Sequence, residues 1–456
     1  MDNKNDFSKG DMKKNILSMT IPMMMAQFIH LLYNIVDRMY IGRIPDVGVL
    51  ALTGVGLTFP VITIISGFAN LYGVGGGSLC SIARGRCDAK EAKNLMQVSY
   101  SMLIVTGIVI SVLCFLFMKP LLYIFGASDV TYSFASDYLK IYILGTIFVM
   151  AGLGMNSFIS SQGFGKMAML TVLCGAIINI ILDPIFIFAF NMGVKGAAYA
   201  TVVSQIVSAV WVLKFLTSDK AILRLSIKKF YFDPLLIKRI TAMGFSSFVM
   251  SFTTSAVQII SNSQLQIYGG DIYVGIMTVV NSIREILTLP LNGLMSGAPA
   301  VIGYNYGAAK FKRVKDGIKF MTFISVIYSL VVWALIVEFP SALIRIFNDD
   351  PQLIALGIPA VKAHFFGFFM MSFQIAGQTC YLSLGKAKHA IFFSMLRKAV
   401  IVIPLTFLLP HLWNLGPMGV FWSEPVSNFI GGAACYLTFM LTIWPKLTDE
   451  KKPYNS

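Results

Sequence analysis

Charge is scarce in this sequence. Only 12% of its 456 residues are Asp, Glu, Lys or Arg, about half the share of an ordinary soluble domain. With 56% hydrophobic residues, such a chain cannot clothe a water-facing surface, so a soluble fold is excluded. Acids are the scarcer sign: 21 against 36 bases leave a formal charge of +15. In a soluble protein that excess would point to nucleic acid. Here the bases fall in short gaps between apolar runs, so it is a topology signal and no nucleic-acid partner is expected. The four histidines, His30, His364, His389 and His411, are too dispersed to form a metal set. Six cysteines lie in or beside apolar runs without ligand spacing and read as small buried hydrophobes. No G-x-x-x-x-G-K-[ST] motif is present, so ATP is not expected to drive this chain. The nearest glycine run, GVGGGS at Gly73 to Ser78, lacks the lysine and reads as close helix packing. Neither an enzyme nor an organic cofactor is expected. The polar start MDNKNDFSKGDMKKN and the long run Ile16 to Asp37 do not fit a cleavable signal peptide.

What is present is a series of apolar runs, each about 20 residues or more. Twelve are expected: Ile16–Tyr40, Leu50–Leu79, Leu95–Met118, Tyr132–Ser157, Met167–Phe190 and Gly196–Leu216, then Ile240–Tyr268, Tyr273–Gly303, Gly317–Val337, Leu353–Leu384, Ala390–Leu409 and Met418–Trp444. The polar stretch 217–239, rich in Lys and Arg, separates an N-terminal lobe, 1–216, from a C-terminal lobe, 240–456. Bases concentrate at both termini, in that linker and in alternate gaps, which predicts cytoplasmic termini and linker. The halves also match in order. GRCDAKEAKN after the second run corresponds to GAAKFKRVKD after the eighth, Gly165-Lys166 to Gly385-Lys386, and Pro184 to Pro404. Six spans per half make the repeat parallel, with a substrate site expected between the lobes.

The stretch NIILDPIFIF, Asn179 to Phe188, places a carboxylate inside an apolar run. A charge at membrane depth costs ~3 kcal/mol even on mild scales and is tolerated where it lines a cavity or pathway. Pro184 beside it bends the helix. In the second half Ile403 holds the matching place, so the fold itself does not need the carboxylate. Asn179 lies one turn before Asp183 on the same face. Counting along the helices puts Asp37 and Tyr33 of the first span, Tyr138 of the fourth and Thr201 of the sixth at a similar depth. Oxygen-only ligands suit a proton or a hard monovalent cation. Two neighbouring carboxylates hold one proton between them more readily than they ionise together. A bland alternative is that Asp37 is interfacial and pairs with Arg38, and that Asp183 stabilises the bend. Arg284 and Glu285, adjacent in the eighth span, make a poor mutual pair, and Glu424 of the twelfth matches Thr201 in the repeat. These three are candidate cavity charges with open roles. The 25 methionines suit an adaptable binding surface, although core filler accounts for most of them.

YNIVDRMYIG, YLKIY, NIILDPIFIF and GVKGAAYAT, with the GAAK and LGKAK linkers, resemble the multidrug and toxic compound extrusion (MATE) family over essentially the whole chain, and within it the MepA-like bacterial branch. The resemblance implies that Asp37, Asn179, Asp183 and Thr201 bind Na+ or relay a proton, with Tyr33 and Tyr138 as neighbours. The family's other pattern, carboxylates on the seventh and tenth helices, is missing here. The expectation is therefore an all-α integral membrane protein with twelve transmembrane helices in two pseudo-symmetric six-helix bundles. It would act as a monomer in a bacterial cell membrane, exporting amphipathic, cationic organic compounds against inward Na+ or H+ flow. Rival readings are a lipid-linked precursor flippase, disfavoured because the intramembrane charges read as mainly acidic, and a non-transporting receptor or scaffold.

Overall fold

The computed structural model describes residues 5–347 and 349–448, without the side chains of Val49 and Trp413. Among the described residues every regular element is helical, and twelve helices cross the membrane. The first six are Met12–Gly42, Leu50–Gly85, Ala89–Leu116, Asp129–Ser161, Gly165–Ala189 and Gly193–Thr217. The stretch Pro234–Gly307 supplies the seventh and eighth, divided where Gly270 leaves the helical region at φ 68°. Phe311–Glu338 is the ninth. Pro351–His364 and Phe368–Ser383 form the tenth, bent by 44°. Ala387–Leu408 and Pro417–Lys446 complete the set.

Three Asp-Pro dipeptides show how local chemistry sorts these helices. Asp233-Pro234 and Asp350-Pro351 start the seventh and tenth spans. The Asp233 carboxylate accepts from Leu235 N and Leu236 N at 2.9 and 3.2 Å, and Asp350 accepts from Leu353 N at 2.8 Å. Proline sits at the first helical position, where no N–H is needed. Asp183-Pro184 is the same pair placed inside a helix. The α-helix ends at Pro184 and continues as a π-turn, Ile185–Ala189. No free N–H group is there to be capped, so the Asp183 carboxylate is left for another partner.

The two bundles repeat down to single residues. Left-handed backbone recurs at Cys87 and Ala309, Gly163 and Gly385, Asn191 and Asn414, and Gly193 and Gly416, each pair 222 or 223 residues apart. Asn156 Nδ2 donates to Ala168 O at 3.2 Å, and Gln378 Nε2 donates to Ala390 O at 3.2 Å, the same bond in both lobes. Contacts between the lobes reciprocate as well. A Cβ on Gly85 would strike Tyr304 O, and one on Gly307 would strike Ile82 O. Gly75 meets Ile240 O and Gly244 as Gly297 meets Met19 and Thr20. The GVGGGS run is thus a packing device, as its sequence predicts.

Both described ends lie on one face. Lys13 sits over Phe320, and Lys315 and Lys319 sit over Trp444. There the N-terminal segment bridges the lobes. Asn5 donates to Gln162 O, while Arg313 donates to the carbonyls of Phe7, Lys9 and Gly10. Phe7, Met12, Ile16 and Met19 are buried in the same apolar cluster as Ala298, Val301 and Tyr381. The base of the first span therefore packs into the C-terminal lobe, across the boundary expected at 217–239.

Candidate functional site

The bend at Pro184 and the one-turn spacing on the fifth span set up the N-terminal site. Asp183 is fully buried and Asn179 only 1% exposed. Asn179 Nδ2 donates to Asp183 Oδ1 at 3.2 Å. The Asp37 carboxyl, from the first span, lies within hydrogen-bonding reach of Asp183. Asp37 Oδ1, Asp183 Oδ2 and Asn179 Oδ1 are all buried and have no hydrogen-bond donor. Arg38 stacks over Phe59, 4.6 Å from its ring, within electrostatic range of Asp37. Across the site, Tyr138 and Thr201 place their hydroxyl oxygens 3.4 Å apart. Tyr33 and Tyr138 are within electrostatic range of Asp37.

Asp37, Asn179 and Asp183 thus come together, and Tyr138 and Thr201 close one side. Tyr33 has its own partner, His30 Nε2 at 3.4 Å. Tyr142, not singled out in the sequence, stacks on Tyr138 with ring centroids 6.2 Å apart. Its spacing of four from Tyr138 was the available signal. Buried acceptor oxygens without a donor, two of them on neighbouring carboxylates, are unfavourable unless a proton or cation joins them. The donor set is oxygen only, so a proton or a hard monovalent cation fits.

The C-terminal lobe carries a second cluster, and here the sequence reading needs correction. Glu424 of the twelfth span accepts from Lys398 Nζ at 2.9 and 3.2 Å and from Arg397 Nη2 at 2.5 Å. Arg284 Nη1 stands 3.8 Å from the same carboxylate. Arg397 donates also to Asn428 Oδ1 at 2.7 Å. Arg284 therefore finds its partner on another helix, while Glu285 is exposed beside it. Three cations around one carboxylate overturn the expectation that the intramembrane charges are mainly acidic. Arg397 and Lys398 lie in the middle of the eleventh span; a pair of bases in an otherwise apolar run was the overlooked signal. These side chains line a cavity of about 430 Å³ with Met250, Met295 and Met371. His364, beside it, has no partner for either ring nitrogen.

Two six-helix bundles related by a repeat, with polar sites buried in each, define a multi-pass membrane protein of the transporter type. The MatE family model matches residues 22–185 and 246–408, one segment in each lobe. The chain belongs to the MatE family. It is 25% identical over 448 residues to the multidrug export protein MepA of Staphylococcus saprophyticus, covering 98% of this chain and 97% of that one. It is 25% identical to MepA of Staphylococcus aureus strain NCTC 8325, covering 96% and 95%. Among solved structures, a MATE protein in the bent conformation superposes with a TM-score of 0.91 at 23% identity, over 98% of both chains. An outward-facing multidrug resistance MATE family transporter does so equally well, over 99% of both.

Proposed function

We propose that this protein is a cation-coupled antiporter that exports amphipathic organic compounds from a bacterial cell by alternating access. The observation that carries the proposal is the set of three donorless buried oxygens on Asp37, Asn179 and Asp183. A proton or Na+ entering there neutralises a repulsive pair, and its departure restores the repulsion. The first and fifth helices that hold the pair then have two preferred packings. Pro184 and its π-turn supply the flexible point. In this reading the hydroxyls of Thr201 and Tyr138, 3.4 Å apart, supply further oxygen ligands. The ion is cargo, and neither ATP nor an organic cofactor is part of this reading. Both termini face the cytoplasm, following the basic face that carries them. The names of the MepA relatives support drug export, and the acidic N-terminal site suits cationic compounds.

A second reading, a flippase for a lipid-linked anion, is favoured by one observation: the basic surroundings of Glu424. Efflux of ethidium from vesicles, with Na+ and pH gradients imposed separately, distinguishes the two. Export driven by either gradient supports the antiporter. Absence of ethidium export under both, with movement of an anionic lipid, would replace it by the flippase.

A further inference from the structure

The two lobes hold buried charge of opposite sign, carboxylates at Asp37 and Asp183 in the first and bases around Glu424 in the second. Thr201 and Glu424 are matched by the repeat. The first pairs with Tyr138, which lies within electrostatic range of Asp37, and the second stands beside three cations. In the C-terminal lobe Glu424 is 5% exposed and Lys398 6%, so water does little to offset the surplus. The remaining acid on the cavity wall is Glu285, exposed at the rim. The seventh, tenth and eleventh helices, which supply much of the wall, contain no Asp or Glu. Excess positive charge at this depth is unfavourable unless a further anion joins it.

The cavity also has donors to offer. Arg284 is 3.8 Å from Glu424, beyond hydrogen-bonding distance, and its side chain is 22% exposed. The buried Nε of Arg397 has no acceptor. A guanidinium fork matches the two oxygens of a carboxylate or phosphate. At about 430 Å³ the space is that of a small-molecule site, and Met250, Met295 and Met371 give it an adaptable apolar wall.

We propose that this cavity binds the anionic group, a carboxylate or phosphate, of an amphipathic organic substrate, zwitterions included. Arg284 is the contacting donor, and Glu424 positions Lys398 and Arg397 behind it. The inference rests on the transport reading above, but its test does not use transport. The probes are dansylglycine, its uncharged methyl ester, and dihexanoyl phosphatidic acid as competitor, titrated into the purified full chain. Dansylglycine should bind at least about tenfold more tightly than the ester, the scale of one charge-assisted hydrogen-bond pair. Arg284→Gln should remove that preference while leaving ester binding unchanged, and Arg284→Lys should restore part of it. Displacement by the phosphatidic acid assigns the site to a lipid headgroup; dansylglycine binding that it leaves untouched assigns it to a soluble acid. Equal binding of acid and ester by the wild type overturns the proposal, as does a folded Arg284→Gln protein that keeps the preference. If ethidium efflux persists in that case, only this inference falls and the antiporter reading stands.

Discussion

Glu424→Gln is the most informative single change in the C-terminal lobe, because it keeps the shape and removes the charge. It leaves buried Lys398, partly buried Arg397 and Arg284 around a neutral amide. Breaking a buried pair by deleting one partner costs ~3–5 kcal/mol. The Nζ–O distance of 2.9 Å to Lys398 and the second close contact to Arg397 place this site toward the upper end. Lys398→Met alone should cost less, since Arg397 and Arg284 still balance Glu424. Lys398→Met combined with Glu424→Gln should recover part of the loss, with a coupling on the order of 1–3 kcal/mol. Unfolding of the detergent-solubilised proteins, followed by tryptophan fluorescence in a denaturant series, reads all three. If Glu424→Gln stays within ~0.5 kcal/mol of wild type, the ordinary range for an unimportant surface change, the cluster is not what holds these helices together.

Two further outcomes follow from the fold. A single cysteine at Ser218, in a background without the six native ones, should react with an impermeant maleimide from inside the cell only; reaction in intact cells would reverse the topology. Gly244→Val places a side chain against the carbonyl of Leu71, so it should force the lobes apart and stop efflux while the protein still reaches the membrane; normal ethidium export would show that this contact is dispensable.

The number of spans, their order and the repeat were legible because each rests on local sequence: apolar length, basic gaps and turn residues. The N-terminal cluster was legible for a related reason. Asn179 and Asp183 share a helix face by spacing alone, and depth counting brings in Asp37, Tyr138 and Thr201. The C-terminal cluster depends instead on how the eighth, eleventh and twelfth helices rotate against one another, which no single helix records. Bases were read as markers of topology, so Arg397 and Lys398 passed unnoticed inside the eleventh span. The N-terminal residues look like a polar tail in the sequence. Their role appears only when Asn5, Phe7 and Gly10 are seen bridging the lobes, through bonds to Gln162, more than 150 residues away, and to Arg313, more than 300 away. The left-handed turns at Cys87 and Ala309 carry no glycine to announce them.

In the proposed antiport cycle the Asp37–Asp183 pair exchanges an ion for substrate. Proteoliposomes containing wild type or Asp183→Asn, loaded with a fluorescent substrate, allow this to be measured directly. Gradient-driven accumulation and exchange at equal substrate on both sides are recorded in the same preparation. Asp183→Asn should lose accumulation under both Na+ and pH gradients but still exchange substrate, since the amide keeps the shape of the site and removes its charge. Accumulation at the wild-type rate in a correctly inserted Asp183→Asn protein would contradict that cycle.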